Sequence, residues 1–137
     1  MKTRPARQSG ATLLEVLVAL LIFAFGVLGL LGMQAVAIKL TADAKYRAEA
    51  SAFADQLISQ MWADDRATLA SHYQTGMDKY NAWKDQIIAS GGLPGASLPT
   101  NAPTVTISPE NVVTITLRWQ APDEKAPHQH VVVARLN

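Results

Sequence analysis

The sequence predicts an α+β chain, one long N-terminal helix laid on a small antiparallel sheet, and three observations predict it. Residues 16–33 are an unbroken run of uncharged apolar residues and glycine. No proline falls between Pro5 and Pro94, so nothing interrupts a helix that continues well past that run. From Thr104 onward, apolar residues alternate with hydroxyl-bearing ones at the period of two that belongs to half-buried strands. Helix first and strands last, segregated along the chain, is the α+β order.

The 137 residues are one domain's worth. With the apolar segment and the residues before it set aside, on the order of a hundred remain, enough to bury one modest core. Cysteine is absent, which excludes thiolate chemistry, zinc ribbons and a disulfide framework. Twelve Lys and Arg stand against eleven Asp and Glu. Three of those bases, Lys2, Arg4 and Arg7, crowd the first ten residues; the remaining nine face ten acids once Glu15 is set apart. The part after the apolar run is close to neutral and has no basic stripe for phosphates, so nucleic acid is not expected as a partner.

The apolar run of eighteen residues is at the lower limit of a membrane span, and Leu13, Leu14 and residues 34–38 extend it sufficiently. Bases precede it without acids, whereas Lys39, Lys45 and Arg47 are interleaved with Asp43 and Glu49. The positive-inside rule then places the N-terminus in the cytoplasm and everything after Ile38 outside. Glu15 is the residue that needs explaining. A secretory signal cut after Ala35-Val36-Ala37 would have an apolar region longer than the usual stretch of about 7 to 15 residues, and would carry an internal glutamate. A plain single-span anchor leaves Glu15 idle as well. An unpaired carboxylate in lipid costs about 2.5 to 3.5 kcal/mol even on lenient insertion scales, so a cation is required.

The stretch "SG" followed by "ATLLEVLVALL" resembles the processing site of type IV pilins and pseudopilins: a short basic leader, a glycine, then a mature chain whose fifth residue is glutamate. The resemblance implies cleavage by a prepilin peptidase between Gly10 and Ala11 and N-methylation of Ala11. Ala11 stands where the family usually has phenylalanine, a departure that bears on processing rate. The amine created at Ala11 is a cation, and methylation keeps its charge. Glu15 lies one helical turn deeper, about 6 Å along the axis. In the family the glutamate pairs with the N-terminal amine of a neighbouring subunit, which makes Glu15 a docking and register residue; a pair within one chain, or a protonated Glu15, is the alternative.

Gly26, Gly29 and Gly32 mark a weak segment, since glycine in a helix interior costs roughly 1 kcal/mol relative to alanine. The resemblance implies that this segment unwinds in assembled filaments; simple packing tolerance in the membrane is the other reading. Beyond it, Tyr46, Ala50, Phe53, Leu57 and Met61 recur at helical spacing and form the expected core face. The stretch "FGVLGLLGMQ" with "YRAEASAFADQLISQMWAD" is most similar to PilV-type minor pilins, although pseudopilins of type II secretion also begin "TLLEVLVAL". A second helix is expected over residues 77–89 from Tyr80, Trp83 and Ile87, ended by "SGGLPGASLP". Then come "TVTIS", a turn at "PEN", "VVTITLRW" with Val113, Ile115, Leu117 and Trp119 on one face, and "HVVVARL". A meander of three or four strands, covered on one face by the long helix, agrees with the pilin fold.

Chemistry is sparse. His128 and His130 share a strand face near Asp123 and Glu124, but a metal site needs three or four ligands and His72 lies in no motif. They read as exposed histidines at a loop end. Asp64 and Asp65 read as a solvated helix terminus, not an acid/base pair. No phosphate loop, nucleophile elbow or HExxH is present. No catalysis, cofactor, metal or small-molecule substrate is expected. The organisation expected is a leader over residues 1–10, a transmembrane assembly helix over 11–38, and a periplasmic globular domain over 39–137 that includes the second half of the long helix. The family resemblance implies a minor pilin that takes part in initiating the type IV pilus at or near its tip. Its partners are then other minor pilins, the major pilin, the prepilin peptidase and the inner membrane, with room for a large tip adhesin. A minor pseudopilin of a type II secretion system is the alternative, and a membrane-anchored periplasmic binding module the third class.

Overall fold

The structure, a computed structural model, describes residues 9–122 and 124–136. Lys2, Arg4 and Arg7 of the expected leader, and Asp123 beside the histidines, lie outside the described residues. The chain forms two compact units, one ending at Ala42 and one starting at Asp43. Helix α1, Ser9–Ala63, is 55 residues long and contributes to both. In the first unit it is the sole described element, and its apolar side chains are exposed, Phe23 to 69% and Met33 to 71%.

In the second unit the last turns of α1 supply one wall of the core. Ala50, Leu57 and Met61 are buried as the helical spacing predicts, but Tyr46 and Phe53 stand half-buried at the flank and Ala54 takes the central place. The buried stripe through Ala50, Ala54, Leu57 and Met61 has the same three- and four-residue steps, turned toward the smaller side chain. Asp65 ends the helix by capping a short 3-10 turn, Arg66–Thr68, its carboxylate accepting the Ala67 N–H at 3.0 Å. Helix α2, Leu69–Tyr73, follows and buries Leu69 and Tyr73. At five residues it is too short to leave a periodic signal.

Helix α3, Asp78–Ser90, is the helix expected over residues 77–89, shifted by one. Gly91, at φ 64°, closes it in the left-handed conformation that glycine adopts without a Cβ penalty. Tyr80, Trp83 and Ile87 are buried. The Trp83 indole N–H donates to the Phe53 carbonyl of α1 at 3.0 Å, and the Tyr80 hydroxyl donates to the Pro103 carbonyl at 2.6 Å.

The sheet has three antiparallel strands in the order β1-β2-β3, with β1 Thr104–Ile107, β2 Val112–Trp119 and β3 His128–Arg135. Val105 lies opposite Ile115, and Ile115 opposite Val132. The β1–β2 turn falls at "PEN", where Asn111 adopts φ 57°, tolerable for asparagine, and donates its N–H to the Ser108 carbonyl at 3.0 Å. Val113, Ile115, Leu117 and Trp119 of β2 are all fully buried and pack in one cluster with the α1 stripe, the α3 aromatics and Leu136. A long apolar helix packed on a small antiparallel sheet is the α+β layout of pilin-like chains.

Candidate functional site

The first turns of α1 carry the residues on which the sequence places function. Gly10 and Ala11 are both helical, and a Cβ added at Gly10 meets no heavy atom within 4 Å. Helical spacing stacks Glu15 over Ala11 as residues i and i+4. Glu15 is exposed and makes no hydrogen bond or ion pair among the described residues. Among the described residues this carboxylate meets no cation; cleavage after Gly10 would create a new amine at Ala11.

An apolar helix long enough to cross a membrane begins at Gly10, and its most apolar window is not covered at all by the rest of the described chain. Such a helix is compatible with a single-pass anchor. Gly26, Gly29 and Gly32 lie within it, and an added Cβ at any of them would again meet nothing within 4 Å. Packing among the described residues therefore does not call for these glycines. Gly29 and Gly32 instead open a shallow apolar groove flanked by Met33, Val36, Ala37 and Leu40.

Residues 5–31 match the family model described as Prokaryotic N-terminal methylation motif. The match covers the Gly10–Ala11 junction, Glu15 and two of the three helix glycines, Gly26 and Gly29. It supports a type IV prepilin-like chain, whose motif belongs to structural subunits and not to catalysts. Comparisons with curated proteins and with solved structures return no match.

Outside the motif, the structure gives the singled-out polar residues local partners. Asp64 accepts hydrogen bonds from the Lys79 ammonium and the Tyr73 hydroxyl, tying the end of α1 to α2 and α3. Asp65 is exposed, as a solvated terminus should be, but Asp64 is a tether. Lys79 first, then Tyr73, holds the Asp64 carboxyl below its ordinary range. The hydrogen bond that Lys79 donates to Asp64 in turn raises Lys79, and burial followed by Asp64 raises Tyr73. The acid stays ionised and the base protonated, an ion pair without a proton in transit. His72 bonds through Nδ1 to Asp78 Oδ1 at 2.9 Å, and this contact is the leading cause of the lowered Asp78 value.

The two strand histidines do not hang from a loop end. They open β3 on its core-side face, His128 opposite Trp119 and His130 opposite Leu117. His128 stacks on Trp119 with ring centroids 5.7 Å apart, bonds Glu124 through Nε2 at 2.8 Å, and brings Nδ1 to 3.7 Å from Asp43 Oδ1. Asp43 is also held by Arg47 at 2.9 Å, and the Arg47 guanidinium lies 5.7 Å from the Trp119 ring centre. The two nitrogens of His128 are thus turned to different carboxylates. Among the described residues no group of three ligating side chains converges. Of this cluster the sequence shows two local pairs, Asp43–Arg47 and Glu124–His128, each four residues apart; the approach of β3 to α1 is a tertiary matter.

Proposed function

We propose that the chain is a minor pilin that takes part in initiating and assembling the type IV pilus, at or near its tip. The observation that carries this reading is the methylation-motif match over residues 5–31, joined to an exposed Glu15 that has no cation partner among the described residues. Residues 1–10 act as a leader removed between Gly10 and Ala11, residues 11–38 as the transmembrane and assembly helix, and residues 39–137 as the periplasmic domain. Prepilin peptidase is the processing enzyme. Other minor pilins and the major pilin are the assembly partners, with room for a large adhesin at the tip. Glu15 pairs with the methylated Ala11 amine of a neighbour, because only a cation offsets a carboxylate in lipid. The helix glycines let the segment unwind as the subunit leaves the membrane.

The test is coexpression with a prepilin peptidase followed by intact mass measurement. A shortening by ten residues and a methylated Ala11 are expected; an uncut chain, or one beginning at Ile38, contradicts the reading. In parallel, Glu15→Gln should be processed and inserted normally yet be missing from sheared filaments, since an amide cannot balance a buried ammonium. Gene deletion should reduce surface pili. Normal piliation with failed protein secretion would assign the chain to a type II secretion pseudopilus.

A further inference from the structure

The sheet is closed on one side and open on the other. Beyond β1, Thr75 occupies the edge: its N–H donates to the Val105 carbonyl at 3.1 Å, and its hydroxyl accepts the Val105 N–H at 2.8 Å. Beyond β3 no such neighbour exists among the described residues.

The ladder shows which groups are left over. Leu136 donates to the Asn111 carbonyl at 3.0 Å, in the rung that continues the Val112–Arg135 register. Hydrogen-bonded rungs recur at every second residue of an antiparallel pair. His128, His130, Val132 and Ala134 therefore point their N–H and C=O groups at β2. Across β2, the Ser108 N–H bond to the Val112 carbonyl at 2.9 Å sets the same parity. Gln129, Val131, Val133 and Arg135 are left pointing both backbone groups outward, where they have no partner among the described residues.

Free edges are usually blunted by lysine, proline, a bulge or a covering loop. Among the described residues strand β3 has none of these: its eight rungs run without a bulge, Pro127 stands just before it, and its one charged side chain, Arg135, comes at its last position. Both of its faces are also under-covered. Val131 and Val133 are 46% and 64% exposed on the outer face, and Val132 is only half-buried on the helix side although its neighbour Ile115 is 0% exposed. A further strand would bury apolar surface on both sides as well as pair the backbone.

Charge selects the occupant. Arg135 lies at one end of the outer face and Arg118, opposite Gln129, at the other. Arg118 reaches the Ala102 carbonyl at 3.4 Å, and neither arginine pairs with a carboxylate among the described residues. A second copy docking through its own β3 would bring more arginine and no acid. We infer that β3 is a docking edge for an extended segment of another protein, taken up as an antiparallel fourth strand. That segment places β-branched residues opposite Val131 and Val133, and carboxylates opposite Arg135 and opposite Gln129 beside Arg118. The inference goes beyond the pilus assignment and does not depend on processing at Gly10.

The test uses the full chain in detergent micelles, titrated with the blocked peptide Glu-Thr-Val-Thr-Val-Thr-Glu and with its lysine-ended counterpart. The acidic peptide should bind at least about tenfold more tightly, a difference of about 1.4 kcal/mol. Saturation should slow amide exchange at Gln129, Val131, Val133 and Arg135, while Val132 and Ala134 are slow already. Val131→Pro removes an outward donor and no ladder bond, and should weaken binding about tenfold. Arg118→Glu with Arg135→Glu should reverse the preference toward the lysine-ended peptide, which decides the matter even if the proline variant does not fold. Equal binding of both peptides, protection without the alternation, or self-association through β3 that the peptide does not displace would each overturn the inference.

Discussion

Replacing Gly26, Gly29 and Gly32 together by alanine probes the weak stretch of α1. An added Cβ at each position meets no heavy atom within 4 Å, so no clash offsets the gain in helix propensity. At roughly 1 kcal/mol for each glycine, the triple variant should stabilise the local helix by up to about 3 kcal/mol. That corresponds to a local opening equilibrium smaller by roughly a hundredfold, which backbone amide exchange of the micelle-bound chain reads directly at residues 27–33. If unwinding is part of assembly, the variant should reach the inner membrane and lose its leader at wild-type levels but enter sheared filaments poorly. Unchanged exchange would show that the propensity arithmetic does not hold for this helix in an apolar medium. Slower exchange with normal filament entry would refute the unwinding role and leave the glycines to helix packing within the membrane.

Three further outcomes test the second unit. Because the folded Asp64 carboxyl lies below its ordinary value, its contribution to stability is present above the unfolded value of 3.8 and is lost as pH falls through the folded one. Asp64→Asn should therefore lower stability at neutral pH and flatten the acid limb of a plot of urea midpoint against pH; an unchanged limb contradicts the tether. Trp83→Phe removes the donor to the Phe53 carbonyl and part of a buried ring, and should cost about 1 to 3 kcal/mol in urea unfolding. Ala54→Leu adds volume at a position that is 0% exposed and should destabilise by about 1 to 3 kcal/mol, whereas a neutral result would mean that α1 sits more loosely on the sheet than its burial implies.

Much of the candidate site was legible because its signals are local. Gly10, Ala11 and Glu15 are defined by spacing along the chain, and the apolar run that follows them is read by simple length. In β2 the alternation of Val113, Ile115, Leu117 and Trp119 against threonine and arginine named the buried face without error, since a strand with one covered side has only two phases. Less was legible where partners are distant. Nothing near Thr75 suggests that it completes the edge of β1 some thirty residues away. Helix α2 leaves no periodic trace, and the setting of His128 depends on α1 and β2 meeting at Asp43 and Trp119.

The sequence by itself determined the period of the long elements and the chemistry of the N-terminal motif: a helix unbroken by proline, a carboxylate set at the head of an apolar run, strands with one apolar face. Tertiary structure decided the phase and the partners. Helical periodicity admits several neighbouring stripes, and only contact with the sheet turned the buried one through Ala54 and left Phe53 at the flank. Asp64 and Asp65 are alike as residues, yet one is a tether and the other a cap, because Lys79 and Tyr73 reach only the first. Likewise β1 and β3 both border the sheet, and which edge stays open depended on where Thr75 was brought. Periodicity is a property of the chain against solvent, whereas burial and pairing are properties of surfaces that meet only after folding.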